Sequence, residues 1–194
     1  MKNILSQLRI ALVATVSLAI LLCGVYPVVV WGLAQALFPH KANGSLIRQG
    51  GKIVGSQLLG QEFTDAKYFH PRPSAAGETG YDGGNSGGSN LGPISKKLVN
   101  AVKERVAAYR AEKQLPRSIP VPADAVTASA SGLDPDISVK NAIFQAARVA
   151  RARGVREEAV RAMIAKYTAG RDLGIFGEER VNVLRLNLAL DSKL

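Results

Sequence analysis

The most conspicuous hydrophobic feature of the chain is a long apolar stretch near its N-terminus. Residues 10–39 contain no charged side chain. A helix rises about 1.5 Å per residue, so the stretch exceeds the roughly 20 residues that cross a bilayer. Trp31 and Phe38 lie near its C-terminal end, where aromatic side chains favour the membrane interface. The pattern predicts a tail at residues 1–9 followed by a single transmembrane helix at 10–39.

Two other interpretations of this stretch fit less well. A cleaved signal peptide has an apolar core of only about 7–15 residues, although residues 34–36 (Ala-Gln-Ala) spell a cleavage site, so cleavage stays open as the minor alternative. A lipoprotein needs a small residue directly before its acylated cysteine, and Leu22 precedes Cys23. Other transmembrane helices are expected to pack against the small residues of the span and its proline: Ala14, Cys23, Gly24 and Pro27.

The orientation of the span does not follow from charge. Lys2 and Arg9 precede the apolar stretch, while Lys41, Arg48 and Lys52 follow it closely. The positive-inside rule weighs such short flanks, and here they nearly balance. The single cysteine excludes a disulfide framework.

Residues 40–194 have the size of one domain, with mixed patterning. A hairpin is predicted around Gly50-Gly51, and a loop rich in Gly and Pro at 71–93. Three amphipathic helices are predicted, each with apolar residues at helical spacing that are expected to face the core. These residues are Ile94, Leu98, Val102, Val106 and Tyr109 in the first helix, Val139, Ile143, Ala147 and Ala150 in the second, and Val155, Ala159, Met163, Ile164 and Tyr167 in the third. The second of these helices is predicted to run from about Val139 to Arg153, with Asp136 or Ser138 as its cap and Gly154 at its end. Residues 181–190 fit a strand and a helix almost equally well. The fold class is therefore α+β, a single N-terminal transmembrane helix followed by one small mixed soluble domain.

The net charge of +10 first suggests nucleic acid as a partner. Much of it falls between Lys140 and Arg171, where eight Lys and Arg face only Glu157 and Glu158. Nucleic-acid readers usually add aromatic stacking platforms or a docking motif, and this stretch has neither. The charge favours anionic membrane lipids or an acidic partner, with Arg148, Arg151 and Arg153 as the contacting side chains.

Catalytic motifs are weak. Residues 84–88 spell G-x-S-x-G, but no hydrophobic strand leads into the motif, and no histidine follows His70 to serve Ser86 as a base. The chain has two histidines, and its one cysteine lies within the span. These residues cannot form a structural zinc site. The sequence predicts no catalytic residue and no metal site.

A phosphate-binding loop is the remaining chemical alternative. The segment Ser86, Gly87, Gly88, Ser89 and Asn90 is similar to the Ser-Gly-Gly-Gln signature loop of ABC ATPases. A predicted helix with Lys96 and Lys97 follows it, as a phosphate-binding loop requires. The alternative function is thus a nucleotide-binding module using this loop.

Several unusual segments together resemble one known family. They are GVYP within the span, ANGSLIR, LLGQEFTDAKYF, YFHPRPSA, GGSNLGP, TASASGLDPDIS, RVARAR and the closing LNLALD. In this order, from about Gly24 to Asp191, they resemble the C subunit of the bacterial Kdp potassium-transporting P-type ATPase.

The resemblance implies an accessory subunit without chemistry of its own, which binds no cofactor alone while the complex handles ATP and K⁺. Its implied partners are a potassium-channel-like pore subunit, a P-type ATP-hydrolysing subunit and a small single-helix subunit. The family acts as a catalytic chaperone that raises the ATP affinity of the hydrolysing subunit. The resemblance also implies a bacterial inner-membrane location, single-pass, with residues 40–194 extracytoplasmic.

The Gly- and Pro-rich stretch from Tyr68 to Asn90 then has two interpretations. As a partner-binding loop docked on the pore subunit, it would use Tyr68, Phe69, His70, Arg72 and Tyr81 as contacts. As an Ω-like loop, it would pack on its own domain. The sequence leaves both open.

Overall fold

The structure, a computed structural model, describes residues 2–193. The chain divides into two compact units, one ending at Leu46 and the other beginning at Ile47. The first unit is helical: α1 (Lys2–Ala19), a π-helical segment (Ile20–Val25), α2 (Tyr26–Leu37) and the short α3 (Pro39–Ala42).

The helical stretch Asn3–Leu37 spans 35 residues with mean hydropathy 2.4, and none of its most apolar window is buried. Within residues 2–193 it is the one helix long and apolar enough to cross a membrane. The predicted membrane span is therefore present as a helix.

The π-helical turn lies immediately before Pro27. Proline has no N–H to donate, and its ring conflicts with the carbonyl four residues earlier. Here the backbone widens, and the Tyr26 N–H donates to the carbonyl of Leu21, five residues back. The proline thus marks a local change of helix geometry in the middle of the span.

The predicted hairpin follows, in which β1 (Leu46–Gln49) pairs with β2 (Lys52–Ser56). Gly50 and Gly51 form the turn with φ of 56° and 80°, a region that glycine adopts without steric cost. Residues 57–95 contain no helix or strand.

The rest of the unit is a helical layer on a small antiparallel sheet. Its elements are α4 (Lys96–Lys113), a 3₁₀ turn (Ala123–Ala125), β3 (Asp136–Ser138), α5 (Val139–Arg153), α6 (Glu157–Tyr167), β4 (Thr168–Ala169), β5 (Arg180–Asn182) and α7 (Val183–Lys193). The strand order is β3-β5-β4, with Val181 of the central strand opposite both Ile137 and Thr168. The chain is mixed α and β, as predicted.

The ambiguous stretch 181–190 contains both structures. Strand β5 ends at Asn182, and α7 begins at the next residue. Alternation of leucines suggested a strand, but Leu186 and Leu190 lie one helical turn apart and are both fully buried. A strand and a helix in direct succession explain why both patterns fitted.

Helix α5 has the predicted ends but a different buried face. The Ser138 hydroxyl accepts from the Asn141 N–H at 3.1 Å, and Gly154 follows the last turn. Ala147, predicted to face the core, is exposed, whereas Asn141 and Gln145 are buried. The predicted stripe is correct for Ala150, which is buried, and for Val139, which packs against the core. It was wrong for Ala147, and it missed the two polar side chains because they hydrogen-bond inside the domain.

Helix α4 is less buried than α5 and α6. Tyr109 is its one buried residue among those predicted to line the core, and Ile94, just before the helix, is 93% exposed. The predicted stripe on α4 is therefore mostly partly exposed. The core lies between α5, α6, α7 and the sheet, and its largest fully buried apolar side chains are Phe69, Ile137, Ile164, Leu186 and Leu190.

Candidate functional site

The loop that begins at Tyr68 is fastened to the domain by two buried side-chain amides. Phe69 donates its N–H to Asn187 Oδ1 at 2.8 Å, and Asn187 Nδ2 donates to the Phe69 carbonyl at 3.0 Å. His70 donates its N–H to Gln145 Oε1 at 2.7 Å, and Gln145 Nε2 returns a bond to the His70 carbonyl at 3.0 Å. Two amides from α7 and α5 thereby satisfy the backbone of consecutive residues, as a neighbouring strand would.

The side chain of Phe69 is a core residue. It is 0% exposed and packs among α5, α7 and the sheet. A side chain buried in its own domain is not offered to another molecule, which corrects the prediction of Phe69 as a partner contact. Its role is to hold the start of the loop, because burying a phenyl ring contributes about 1.5–3 kcal/mol.

Tyr68 lies at the surface in an aromatic and charged setting. Its hydroxyl donates to Asp191 Oδ2 at 2.9 Å, and this bond raises the pKa of the phenol. Lys67 and Arg153 lie against the ring, at 5.1 Å and 5.4 Å from its centroid. Tyr68 is half-buried, so part of its ring remains accessible.

Arg72 and Tyr81 stabilise the middle of the loop. Arg72 Nη1 pairs with Asp134 Oδ2 at 2.5 Å, and the Tyr81 hydroxyl donates to the Arg72 carbonyl. Burial raises the pKa of Tyr81 to about 12. The Ser74 hydroxyl donates to the Gly132 carbonyl at 2.6 Å and accepts from the Tyr81 N–H at 2.8 Å. These contacts are internal to the domain.

The loop approaches the backbone of Gly132 very closely. Gly132 has φ of 68°, and a Cβ placed on it would lie 2.6 Å from the Ala76 nitrogen and 2.7 Å from the Gly87 carbonyl oxygen. Ala76 is fully buried there. The first part of the loop, up to Ala76, thus packs on its own domain, while residues 82–86 are exposed.

The residues of the G-x-S-x-G motif have separate partners. The Ser86 hydroxyl donates to the Ser131 carbonyl at 3.0 Å. The His70 ring lies 3.3 Å from the Asp65 carbonyl and 3.7 Å from Glu112, and Asp82 accepts from Asn85 Nδ2. A nucleophile, base and orienting acid would have to bond to one another, so these three do not form a hydrolase triad.

The proposed phosphate loop is also engaged internally. The Gly87 N–H donates to the Ser131 carbonyl at 2.9 Å, and the α-carbon of Gly88 faces the Ala130 carbonyl. Ser89 and Asn90 are exposed, and α4 begins only at Lys96. A phosphate cradle aims free N–H groups from a turn leading directly into a helix. Residues 86–90 do not have this arrangement.

A charged cluster that sequence reasoning missed joins α4, α5 and the loop. Glu112 Oε1 lies 2.6 Å from Lys113 Nζ, 2.9 Å from Arg148 Nε and 3.7 Å from His70 Nδ1. It borders a cavity of about 190 Å³ that also touches Tyr109 and Gln145. The only signal in the sequence was an acid beside a base at the end of a predicted helix.

Burial and mutual repulsion perturb these groups. Burial, aided by Arg148, lowers the pKa of Lys113 to about 8, and burial with the same arginine lowers the pKa of His70. Burial raises the pKa of Glu112, but Lys113 and Arg148 outweigh it and hold that pKa below its ordinary value. The cluster therefore holds a carboxylate between cations. Among residues 2–193, no three His, Cys, Asp or Glu residues are grouped as metal ligands.

Two of the three arginines predicted to meet lipid or an acidic partner bind their own domain. Arg148 donates to the Ala66 carbonyl at 2.6 Å, in addition to its contact with Glu112. Arg153 donates to the Lys67 carbonyl at 2.8 Å and to Asp191 at 2.7 Å. Arg151 alone is exposed. The prediction is corrected for Arg148 and Arg153, because they bind carbonyls of the segment before Tyr68.

The membrane helix carries a shallow apolar groove of about 750 Å³ at its π-helical turn. Cys23 and Gly24 line it together with Ala19, Val25 and other neighbours, while Ala14 and Pro27 lie outside the lining. A Cβ added to Gly24 would meet nothing within 4 Å. The groove is open apolar space along the helix.

Comparison with known proteins gives a full-length match. The sequence model of the family described as "K+-transporting ATPase, c chain" matches residues 8–192. A "Potassium-transporting ATPase KdpC subunit" of Nitratidesulfovibrio vulgaris is 56% identical over 188 residues, covering 97% of this chain and 95% of the relative. Proteins of the same name from Mycobacterium tuberculosis and Rhodospirillum rubrum are 54% and 53% identical, covering 98% and 97% of both chains.

Proposed function

The chain belongs to the family of K⁺-transporting ATPase c chains, and we propose that it is a non-catalytic subunit that assembles the complex and raises the ATP affinity of the subunit that hydrolyses ATP. The observation that carries this proposal is the family match over residues 8–192, which includes both the apolar helix and the second unit. A membrane tether joined to a folded domain suits an accessory role.

The contacts within the second unit support the non-catalytic part. Ser86, His70 and Asp82, the side chains from which a hydrolase would be built, each bind a different group. Gln145 and Asn187, the most buried polar groups near the loop, hold its backbone. These polar groups serve to order a surface rather than to activate a nucleophile.

We propose three partners in the same complex: a channel-like pore subunit, a P-type ATP-hydrolysing subunit and a small single-helix subunit. The membrane helix would pack against their helices through the groove at Cys23 and Gly24. The exposed part of the loop, residues 82–86, together with the accessible side of Tyr68, is the proposed contact of the second unit with the pore subunit.

The second unit is proposed to lie on the extracytoplasmic side of the bacterial inner membrane. A domain in that position cannot touch cytoplasmic ATP, so its effect on ATP affinity must pass through membrane helices as a coupling between conformational states. Such coupling is typically 1–3 kcal/mol, or about 5–150-fold in affinity. Among residues 2–193, Asn3–Leu37 is the one helix long and apolar enough to carry such coupling across a membrane, and the π-helical turn at Ile20–Val25 is its irregular part.

The proposal is tested by preparing the complex with and without this chain and measuring ATP hydrolysis against ATP concentration. Loss of the chain should raise the ATP concentration for half-maximal rate by about 5-fold or more. An unchanged ATP dependence in an intact complex of the other subunits contradicts the role. A photo-reactive ATP analogue that labels the purified chain, and that ATP competes away, would instead support the nucleotide-binding alternative.

Orientation is tested separately. A reporter that is active on only one side of the membrane, fused after Leu194, should be active outside the cell. Activity in the cytoplasm would contradict the proposed location and leave the assembly role to be judged by the ATP measurement.

A further inference from the structure

Three large apolar side chains stand exposed at the tip of the connection between β4 and β5. Leu173, Ile175 and Phe176, here called the apolar finger, are 89%, 69% and 61% exposed. Single exposed apolar residues are ordinary, but three within four residues of one turn concentrate apolar surface there. Most of the surface of each side chain faces water.

The finger is held in a defined shape by its own backbone. Asp172 donates its N–H to the Phe176 carbonyl at 2.8 Å, and Phe176 returns the bond at 2.9 Å. Two ion pairs brace the base, Arg171 with Glu178 at 2.9 Å and Arg180 with Asp172 at 3.2 Å. An ordered tip loses little conformational freedom on binding, which favours recognition.

Leu173 occupies a backbone conformation that bulky residues avoid. Its φ is +54°, in the left-handed region where glycine and asparagine are favoured. A leucine there is strained, and at 89% exposure it returns no packing to the fold. Such a side chain makes physical sense when its partner lies on another molecule.

The charges around the finger favour a protein surface over lipid. The base carries Asp172, Glu178 and Glu179 against Arg171 and Arg180, and both arginines are already paired with acids. Glu179 is exposed and has no ion-pair partner among residues 2–193. Anionic headgroups repel this arrangement. An apolar socket with a basic side chain at its rim complements it.

We propose that the apolar finger inserts into an apolar socket, rimmed by at least one Lys or Arg, on a companion protein subunit of the same complex. This inference rests on the proposed function, because it takes the companion from that complex. Leu173 and Phe176 fill the socket, and Glu179 pairs with its rim.

The first test compares variants of the full chain, co-expressed with the companion subunits and purified in detergent. Leu173→Asn removes the apolar side chain and relieves the strained backbone, so the unfolding temperature of the chain should not fall. The fraction of chain retained in the complex should fall at least about tenfold in Leu173→Asn/Phe176→Ser. Ile94→Ser, which removes a side chain 93% exposed elsewhere, is the matched control and should leave retention unchanged.

The second test reports what surrounds the finger. With Cys23 left in place, Ile175→Cys is labelled with a water-soluble, environment-sensitive fluorophore in the complex reconstituted into vesicles. The complex with the unaltered chain, carried through the same labelling, is the blank. The emission of the fluorophore should shift to the blue only when the companions are present, and brominated lipids should not quench it.

The outcomes separate the two proposals. If the unaltered chain does not co-purify with the companions, the proposed function fails. If it does, and the double variant is retained as well as the unaltered chain, only the finger is overturned. A blue shift in vesicles without companions, quenched by brominated lipids, also overturns the socket, because it places the finger in the membrane. If the finger variants are retained less in the complex while Ile94→Ser is retained normally, and the unfolding temperature is unchanged, the proposal is supported.

Discussion

The side-chain amide of Gln145 and the backbone of His70 exchange two hydrogen bonds across 75 residues of sequence, at 2.7 Å and 3.0 Å. Gln145 is 2% exposed, so its amide is largely shielded from water. The same side chain accepts from Arg148 Nη2 at 2.8 Å. One residue of α5 therefore joins the loop to the charged cluster around Glu112.

Gln145→Met should destabilise the chain by about 2–3 kcal/mol, because it keeps the volume but leaves the buried N–H and carbonyl of His70 without partners. The free energy of unfolding in denaturant measures the effect, and hydrogen exchange at His70 localises it. Gln49→Met, at an exposed position of β1, is the control. Equal stability of the two variants would show that the amide clamp contributes nothing.

The elements that could be predicted from sequence are those whose signals are local. The hairpin at Gly50-Gly51 and the two ends of α5 follow from turn and cap residues a few positions apart. The apolar span followed from length and the lack of charge. Each of these rests on interactions within one helix or one turn, which sequence spacing describes directly.

The loop anchors could not be predicted, because their partners are remote in sequence. Phe69 resembles a surface aromatic within a Gly- and Pro-rich stretch, yet Asn187, 118 residues away, draws its backbone into the core. Gln145 and Asn141 lie on the buried face of α5 although apolar periodicity placed them outside. Glu112 gains the cations of Lys113 and Arg148 and also contacts the His70 ring, although two of these three neighbours are remote in sequence.

Lys113→Met should abolish a rise in stability at alkaline pH. In the folded chain Lys113 loses its proton near pH 8, whereas in the unfolded chain it holds it to about 10.5. Between these values the unfolded state binds more protons, so the stability of the unaltered chain increases with pH. The increase is on the order of 2 kcal/mol.

The measurement is the difference in unfolding free energy between unaltered chain and variant from pH 7.5 to 10.5. Taking the difference cancels the titration of tyrosines and of other lysines. Lys166→Met, at an exposed position of α6, is the matched control for the loss of one lysine. A constant difference for Lys113→Met would contradict a buried ammonium at this position.

Gly132→Ala should detach the start of the loop from the domain. The new Cβ would lie 2.6 Å from the Ala76 nitrogen and 2.7 Å from the Gly87 carbonyl oxygen, and both are backbone atoms that cannot rotate away. Together with the positive φ, the overlap should cost about 2–4 kcal/mol. Thermal unfolding reports the loss. Gly170→Ala, where a Cβ meets nothing within 4 Å, should change stability little.

Gly24→Leu tests the groove of the membrane helix. The leucine would fill space that is empty in the isolated chain, so the helix itself should remain intact, as circular dichroism of the purified chain can verify. Because helices in lipid associate through close van der Waals contact, a filled groove should exclude a neighbouring helix. We expect several-fold less chain to co-purify with the companion subunits. Val30→Phe, which adds bulk outside the groove lining, should co-purify normally. Equal loss in both variants would mean that any added volume disturbs the span, and retention of Gly24→Leu would place the helix contact elsewhere.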